Sequence, residues 1–271
     1  MAQTIPTLCG SIASHPSSLE AAMHNEAYAA TNIPFTYVAF GTENTGEAVA
    51  AMRSLGIRGL AVSMPHKIRI MEYLDSVDDT AKRIGAVNTV VNNNGYLTGY
   101  NTDWIGAVRA LKEKIDIAGK RSVVVGAGGA ARAIVYGLLK EQSQVTVYNR
   151  TISNGEKLAE EFDVAFGGNI ENLNVIQDYD ILINATSVGF HDVKNSIIPA
   201  AFILKDKTVL DVVFIPAQSK FISDALSKDC NVVSGIRMLV HQALYQFELY
   251  TGQQAPFEVM EKALTNGINK L

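Results

Sequence analysis

A glycine-rich segment stands between a short apolar run and a longer apolar stretch with helical spacing. It reads Gly126-Ala-Gly-Gly-Ala-Ala131, after Ser122–Val125 and at the start of Ala130–Leu139. Small residues here allow a tight turn, close approach of a pyrophosphate to the backbone, and close packing of a helix on a sheet. The helix N-terminus also offers unpaired N–H groups to phosphates. The pattern predicts a dinucleotide site rather than a merely tight turn, with contacts from Gly126, Ala127, Gly128, Gly129 and Ala130.

The end of the next predicted strand, Val145–Tyr148, indicates which dinucleotide is bound. Sites for NAD usually end this strand with Asp or Glu, which accepts a hydrogen bond from the ribose 2′-hydroxyl. This chain instead continues Asn149-Arg150-Thr151. A guanidinium 22 residues after Gly128 can bind a 2′-phosphate through paired hydrogen bonds, although a solvated surface arginine is the alternative. The sequence therefore predicts NADP as the cofactor.

A lysine follows another predicted strand and could act on a reacting oxygen. The segment Ser63-Met-Pro-His-Lys67 comes directly after Gly59–Val62, and sites of α/β proteins form at the carboxyl ends of strands. An ammonium there can donate a hydrogen bond to an oxygen and share its proton. His66 could tune this lysine, but an isolated histidine is more often a packed residue than a catalyst. Taken alone, Lys67 fits a solvated surface lysine better than a catalytic one.

Two further segments place polar side chains near predicted strands. They are Gly85-Ala-Val-Asn-Thr89 and Gly99-Tyr-Asn-Thr-Asp103. Each has a structural interpretation: Asn88 can form a turn, and Asp103 can cap the helix that follows it. Together with Lys67, they supply an amine, amides and a carboxylate for one site.

The elements that would position these groups alternate between strands and helices, which is typical of α/β proteins. An Asn-Gly pair within Asn92-Asn-Asn-Gly95 predicts a hairpin. The predicted strands are Tyr37–Phe40, Gly59–Val62, Val87–Val91, Tyr96–Gly99, Ser122–Val125, Val145–Tyr148, Ile181–Asn184 and Val209–Val213. The predicted helices include Glu47–Leu55, Ala130–Leu139 and Met238–Tyr250.

The order of these elements predicts two α/β domains. A linker is expected near Asn101–Asp103 and a second crossover near Gly235, so that the dinucleotide-binding unit is an insertion. We expect an N-terminal α/β substrate domain of residues 1–102 plus 238–271 and a Rossmann-type NADP-binding domain of residues 103–237. The C-terminal helix would return to the first domain.

Composition excludes several classes of protein. The 271 residues carry a net charge of −4 with a pI near 5.8, which makes nucleic acid an unexpected partner. The two cysteines, Cys9 and Cys230, form neither a disulfide framework nor a zinc site. Neither a signal peptide nor a membrane helix is expected. We predict a cytoplasmic enzyme with a small-molecule substrate, as a monomer or homodimer.

In its motifs and their order, the chain resembles the shikimate dehydrogenase family over nearly its whole length. The series is far more specific than any one of its members. The motifs are Ser63-Met-Pro-His-Lys67, Gly85-Ala-Val-Asn-Thr89, Asn101-Thr-Asp103, Gly126-Ala-Gly-Gly-Ala130, Asn149-Arg-Thr151, Asn184-Ala-Thr-Ser187 and Met238-Leu-Val-His-Gln242.

This resemblance implies reversible hydride transfer between NADPH and 3-dehydroshikimate, in aromatic amino acid biosynthesis. Lys67 would stabilise or protonate the developing alkoxide, and Asp103 would orient that lysine and balance its charge. The ammonium makes a metal unnecessary, and none is expected. The implied substrate ligands are Ser18, Ser63, Asn88, Asn101 and Gln242. The implied cofactor contacts also include Asn149, Arg150, Thr151, Thr186, Gly235 and Met238.

The chain departs from the family where two serines, one residue apart, grip the substrate carboxylate. Counting back from His24 puts Ser18 and Glu20 in these positions, whereas counting forward from Gly10 puts Pro16 and Ser18 there. Only Ser18 stays in register, and a different loop path would bring in Ser17. If Glu20 faces the pocket, its charge opposes a carboxylate ligand.

Two smaller departures lie in the second half of the chain. Phe214 replaces the family's usual tyrosine, and Arg237 stands where a small residue is common. Arg237 could be either an additional anion ligand or a surface charge. These differences keep a quinate or aminoshikimate dehydrogenase open, as well as a non-catalytic NADP-binding sensor. A methylenetetrahydrofolate-type dehydrogenase fits the segments around Asp103 and Gln242 less well.

Overall fold

The computed structural model describes residues 5–175 and 178–270, and their elements alternate as the sequence predicts. The strands are β1 (Thr7–Ala13), β2 (Phe35–Gly41), β3 (Gly59–Val62), β4 (Ser76–Val77), β5 (Thr89–Asn93), β6 (Tyr96–Tyr100), β7 (Arg121–Val125), β8 (Gln144–Tyr148), β9 (Ala165–Gly168), β10 (Ile181–Asn184), β11 (Thr208–Asp211) and β12 (Asn231–Val233).

Helices alternate with these strands along the chain. They are α1 (Ser18–Ala30), α2 (Thr45–Ser54), α3 (Asp79–Ile84), α4 (Asp103–Lys112), α5 (Gly129–Lys140), α6 (Ile152–Phe162), α7 (Lys220–Leu226), α8 (Gly235–Thr251) and α9 (Phe257–Ile268), with short 3₁₀ turns at Arg69–Tyr73, Ile170–Val175 and Ala200–Phe202.

The chain divides into two compact units. The first consists of the chain up to Thr102 and from Gln242 onwards, and the second runs from Asp103 to His241. The sequence-based domains change at residues 102 and 238, whereas the compact units change at 102 and 242. The second change therefore falls inside α8.

The first unit is built on a mixed sheet. Its strand order is β2-β1-β3-β5-β6-β4, in which β1, β2 and β3 are parallel and β5 is antiparallel to both β3 and β6. The predicted hairpin is confirmed: Asn94 and Gly95 both have positive φ, 53° and 91°, as a type I′ turn requires. Because β1 and β3 are parallel neighbours, the loops that follow them emerge at the same edge of the sheet.

The second unit is a parallel sheet in the order β12-β11-β10-β7-β8-β9. Numbered within the unit, this is the order 3-2-1-4-5-6 of the doubly wound dinucleotide-binding fold, which confirms the predicted Rossmann type. The order reverses between β7 and β10, and ligands of such sheets bind beyond the carboxyl ends of the strands at this point.

The apolar face of each element explains its place in the fold. In the second unit, Val124 and Ile183 of the sheet pack with Ile134 and Leu138 of α5 in one buried cluster. In the first unit, Leu60 and other strand residues pack with the buried side of α2. Within the described part of the chain, none of the helices combines the length and apolar character needed to cross a membrane.

Candidate functional site

The glycine loop of the second unit has one position that only glycine can occupy without strain. Gly126 has a φ of +126°, and a Cβ placed on it would lie 2.9 Å from the carbonyl oxygen of Ala185. The loop after β7 therefore passes directly against the loop after β10. This confirms the tight turn expected of Gly126.

A second glycine of this loop faces open space. Gly128 is the N-cap of α5, with extended backbone at φ −84° and ψ −174°. A Cβ on Gly128 would meet no atom within 4 Å, so nothing in the unit itself requires glycine there. Ala127, Gly129 and Ala130 continue this turn into α5, whose N–H groups can receive a phosphate. The loop thus fits the diphosphate of a dinucleotide.

The end of β8 carries a cation and no carboxylate. Arg150 is exposed, and the side chain of Asn149 donates a hydrogen bond to the carbonyl oxygen of Thr151 at 2.8 Å. Thr151 is the N-cap of α6 but its side chain caps no N–H group. A 2′-phosphate could therefore meet both the guanidinium and the start of a helix, as the NADP prediction requires.

The carboxyl ends of β10 and β11 are joined by a buried amide–carboxylate pair that the sequence analysis missed. Asn184 donates to Asp211 at 2.9 Å, and Asp211 also accepts from the Ser219 hydroxyl and the Val213 amide. The oxygen of Asn184 accepts from the amide and hydroxyl of Thr186 at 3.0 and 2.8 Å. Burial raises the pKa of Asp211 to about 6, although its hydrogen bonds oppose the shift. Asn184 ends the predicted strand Ile181–Asn184, whereas Asp211 ends the observed β11 but lies inside the predicted strand Val209–Val213; a carboxylate within an otherwise apolar run was the available signal.

The remaining predicted cofactor residues lie at the start of α8. A Cβ on Gly235 would lie 2.5 Å from the carbonyl oxygen of Val213, so glycine lets the helix approach the loop after β11. Met238 is 6% exposed and packs in the core of the second unit. Arg237 binds the carboxylate of Glu113, which also contacts His241. The charge of Arg237 is therefore matched within its own unit.

Phe214 packs against another aromatic ring and presents no polar group. Its ring lies 5.3 Å from that of Phe190 in an edge-to-face arrangement. The loop after β11 is thus held by aromatic contact at the position where a tyrosine was expected.

In the first unit, the loop that carries Lys67 is held by backbone hydrogen bonds on both sides. The Ser63 amide donates to Ile12 at 2.9 Å, and the carbonyl oxygen of Lys67 accepts from Val87 at 2.8 Å. Both Ser63 and Lys67 are half-buried. The end of β3 is therefore fixed beside the entry to β5, which brings the predicted lysine close to the segment of Asn88.

His66 has a structural role in this loop. It is 1% exposed, and its Nδ1 lies 2.8 Å from the Thr45 hydroxyl while its Nε2 lies 2.9 Å from the Thr42 carbonyl oxygen. A carbonyl oxygen can only accept, so Nε2 carries a proton. The ring ties the Lys67 loop to the start of α2.

Two other predicted site residues of the first unit, Asn88 and Asn101, have buried side-chain amides that form hydrogen bonds within the unit. Asn101 donates to the Ala86 carbonyl oxygen at 2.9 Å. Asn88 exchanges hydrogen bonds with Thr102 and accepts one from Thr89. The two segments that the sequence singled out are thus joined to each other. Asp103 follows immediately as the first residue of α4 and is 1% exposed.

The start of α1 contains the segment in which only Ser18 was expected to match the family's two serines. Ser17 is the N-cap, and its hydroxyl accepts from the Leu19 amide at 3.2 Å. Ser18 is exposed and Glu20 is half-buried.

The predicted substrate ligand Gln242 lies half-buried on α8. It stands one turn before Gln246, a residue that the sequence did not single out.

Comparison with known proteins gives consistent matches along the chain. Residues 8–90 match the model of the shikimate dehydrogenase substrate binding domain, residues 109–214 that of shikimate / quinate 5-dehydrogenase, and residues 235–265 that of the shikimate 5′-dehydrogenase C-terminal domain. The shikimate dehydrogenase (NADP⁺) of Geobacillus kaustophilus is 38% identical over 262 residues, covering 93% of this chain and 95% of the relative.

Solved structures share the complete fold. A crystal structure of a shikimate dehydrogenase in complex with NADP⁺ superimposes with a TM-score of 0.90 at 36% identity, covering 97% of this chain and 96% of the other. The ligand-free 5-ketofructose reductase of a Gluconobacter strain has a TM-score of 0.84 at 30% identity, with coverages of 96% and 98%.

Proposed function

Because this chain belongs to the shikimate dehydrogenase family, we propose that it interconverts a secondary alcohol and a ketone on a cyclic hydroxy acid, with NADP as redox cofactor. The proposed reaction is the reversible reduction of 3-dehydroshikimate to shikimate. The observation that carries the proposal is the similarity of this chain to NADP-dependent shikimate dehydrogenases, which extends over almost the full length of both chains.

The second unit supports the choice of cofactor. The open space before Gly128, the N-terminus of α5 and the exposed Arg150 together suit a dinucleotide with a 2′-phosphate. When bound, NADPH supplies the hydride for the ketone carbon. The proposed contacts at the other loops come from Thr186, Gly235 and Met238.

The proposed proton chemistry belongs to Lys67. Its ammonium would hydrogen-bond the carbonyl oxygen, stabilise the alkoxide as negative charge develops, and donate the proton that completes the alcohol. Asp103 would orient the ammonium and balance its charge. The proposed ligands of the substrate's hydroxyl and carboxylate groups are Ser18, Ser63, Asn88, Asn101 and Gln242.

The first experiment is to follow reduction of NADP⁺ by absorbance with purified protein, offering shikimate and quinate, with NAD⁺ as the control. We expect turnover of shikimate with NADP⁺ and at least tenfold weaker turnover with NAD⁺. Lys67→Ala should lower kcat by about 10²–10⁴ while NADP⁺ binding persists. A wild-type protein that binds NADP⁺ but oxidises neither acid would contradict the proposal. The cytoplasmic location and the monomeric or homodimeric state remain predictions from the sequence.

A further inference from the structure

A directional series of hydrogen bonds leads from α8 to Asn88 within the first unit. The side-chain amide of Gln246 donates to the Thr89 hydroxyl oxygen at 3.0 Å. The Thr89 hydroxyl in turn donates to Oδ1 of Asn88 at 2.8 Å. Gln246 is 1%, Thr89 0% and Asn88 2% exposed, so water does not compete for these bonds.

The orientation of the Asn88 amide follows from the chemistry of its partners. The backbone N–H of Thr102 lies 2.7 Å from Oδ1 of Asn88, and a backbone N–H can only donate. Oδ1 is therefore the acceptor for both Thr102 and Thr89. Nδ2 of Asn88 donates to the Thr102 hydroxyl at 2.9 Å. With its oxygen engaged by the protein, Asn88 can meet a ligand only as a hydrogen-bond donor.

Gln246 determines where the Thr89 hydroxyl directs its proton. A hydroxyl has one proton to donate, and two acceptors lie near it, Oδ1 of Asn88 at 2.8 Å and the Thr102 hydroxyl oxygen at 3.4 Å. The N–H of Gln246 approaches the Thr89 oxygen and occupies it as an acceptor. The proton of Thr89 is then directed to Asn88, and this fixes the Asn88 amide.

The same glutamine is only partly satisfied as a polar group. Its Oε1 is buried without a partner in hydrogen-bond geometry, as are both ring nitrogens of His24. Burial lowers the pKa of His24 to about 3, and the nearby Gln246 amide opposes this shift only in part, so the ring is neutral. A buried amide with an unpaired oxygen lowers stability relative to an apolar side chain of the same shape.

We propose that Gln246 is a positioning residue, which holds Asn88 through Thr89 so that the Asn88 N–H faces an oxygen of the substrate. This inference rests on the proposed function, because it assigns Asn88 to the substrate. The group that Asn88 recognises is then an acceptor: a hydroxyl, keto or carboxylate oxygen.

The test is Gln246→Met, which keeps the length and volume of the side chain and removes both polar atoms. We expect the KM for shikimate to rise about tenfold, with kcat within about threefold, the Kd for NADP⁺ unchanged, and the melting temperature equal or higher. If Gln246 were only structural, Gln246→Met would instead lower the melting temperature and leave the KM for shikimate unchanged. That result would overturn the proposal.

Two further variants sharpen the test. Phe247→Leu removes packing from the neighbouring buried position of α8, where the ring lies 5.4 Å from that of Tyr28; it should lower the melting temperature and leave KM unchanged. Thr89→Val should raise KM as Gln246→Met does, and the double variant should raise it no further, because both changes interrupt one series of bonds. Additive effects on KM would contradict the proposal.

A readout without turnover separates this inference from the proposed function. In ¹⁵N-labelled protein, the side-chain N–H signals of Asn88 should exchange slowly with solvent in the wild type and at least tenfold faster in Gln246→Met. Failure of the wild type to oxidise shikimate would refute the proposed reaction. Unchanged exchange in the variant would refute the positioning role, whatever the substrate is.

Discussion

The first turn of α1 carries a carboxylate near buried phenols. Burial is the main cause of the raised pKa of Tyr37 and Tyr250, and the charge of Glu20 is a smaller cause for both. Glu20 is half-buried and therefore close enough for its charge to act on these two phenols. The spacing from Ser17 to Glu20 is that of a capping box, in which the carboxylate also favours the helix start. Any substrate carboxylate near Ser18 would meet this charge.

We therefore expect Glu20→Ser to raise kcat/KM for shikimate about tenfold, since the change removes repulsion between two carboxylates in a partly buried site. The helix should lose roughly 0.5–1 kcal/mol of stability with its capping carboxylate. Steady-state rates with the Glu26→Ser variant provide the control, because Glu26 is exposed on the same helix. An unchanged or lower kcat/KM in Glu20→Ser would show that the charge does not oppose the substrate.

At the scale of elements, the glycine loop contains one glycine that the fold requires, Gly126, and one that it does not, Gly128. Gly126 is required by the fold, because of its positive φ and its contact with the loop after β10. Gly128 has ordinary extended dihedrals and open space where a Cβ would be. Replacement by alanine should consequently lower cofactor affinity at Gly128 and stability at Gly126.

Gly128→Ala should weaken NADP⁺ binding about tenfold, because its methyl group enters the space proposed for the diphosphate, while the melting temperature stays within about 2 °C of the wild type. Gly126→Ala should cost on the order of 1–3 kcal/mol of stability. Calorimetric titration with NADP⁺ and thermal unfolding of both variants check this. Equal loss of affinity and stability at Gly128 would indicate a position constrained by folding.

Elements with strong local patterns could be predicted from the sequence. The bounds of β3 and β10 agree residue for residue, and the Asn-Gly turn identified its hairpin. The strand β1, with the sequence TLCGSIA, was missed because its small residues give no clear apolar run. The contact of Gln246 with Thr89 could not be inferred, since 157 residues separate them and only the folded sheet and helix bring them together.

At the scale of the whole molecule, the unfavourable burial of Asp211 links stability to pH. The folded-state pKa, about 6, exceeds the ordinary value of 3.8, so the folded chain binds this proton more tightly than the unfolded chain does. The contribution of Asp211 to stability is complete below pH 4 and is lost as the pH rises through 6. Other carboxyls, such as Asp178, have lowered pKa values and act in the opposite direction.

Asp211→Asn removes this ionisation while an amide can still bond Ser219 and Val213. The free energy of unfolding of the wild type should therefore fall relative to that of the variant, by on the order of 3 kcal/mol, between about pH 4 and pH 7. Chemical denaturation across this range measures the difference. Asp206→Asn is the control, because that carboxyl is exposed. Parallel curves for wild type and Asp211→Asn would contradict the expected linkage.

The discontinuity of the first unit has a consequence for the order in which the chain acquires structure during translation. Its sheet needs residues that are synthesised after the second unit: a side-chain N–H of Arg58 donates to the carbonyl oxygen of Tyr250 at 3.0 Å, and the Tyr250 ring covers Gly59. The continuous segment of the second unit leaves the ribosome earlier, and domains fold as units as they emerge. The nucleotide-binding half is thus complete while the N-terminal strands still await the helices that follow it, and we expect those strands to be exposed to aggregation for longer than the second unit is.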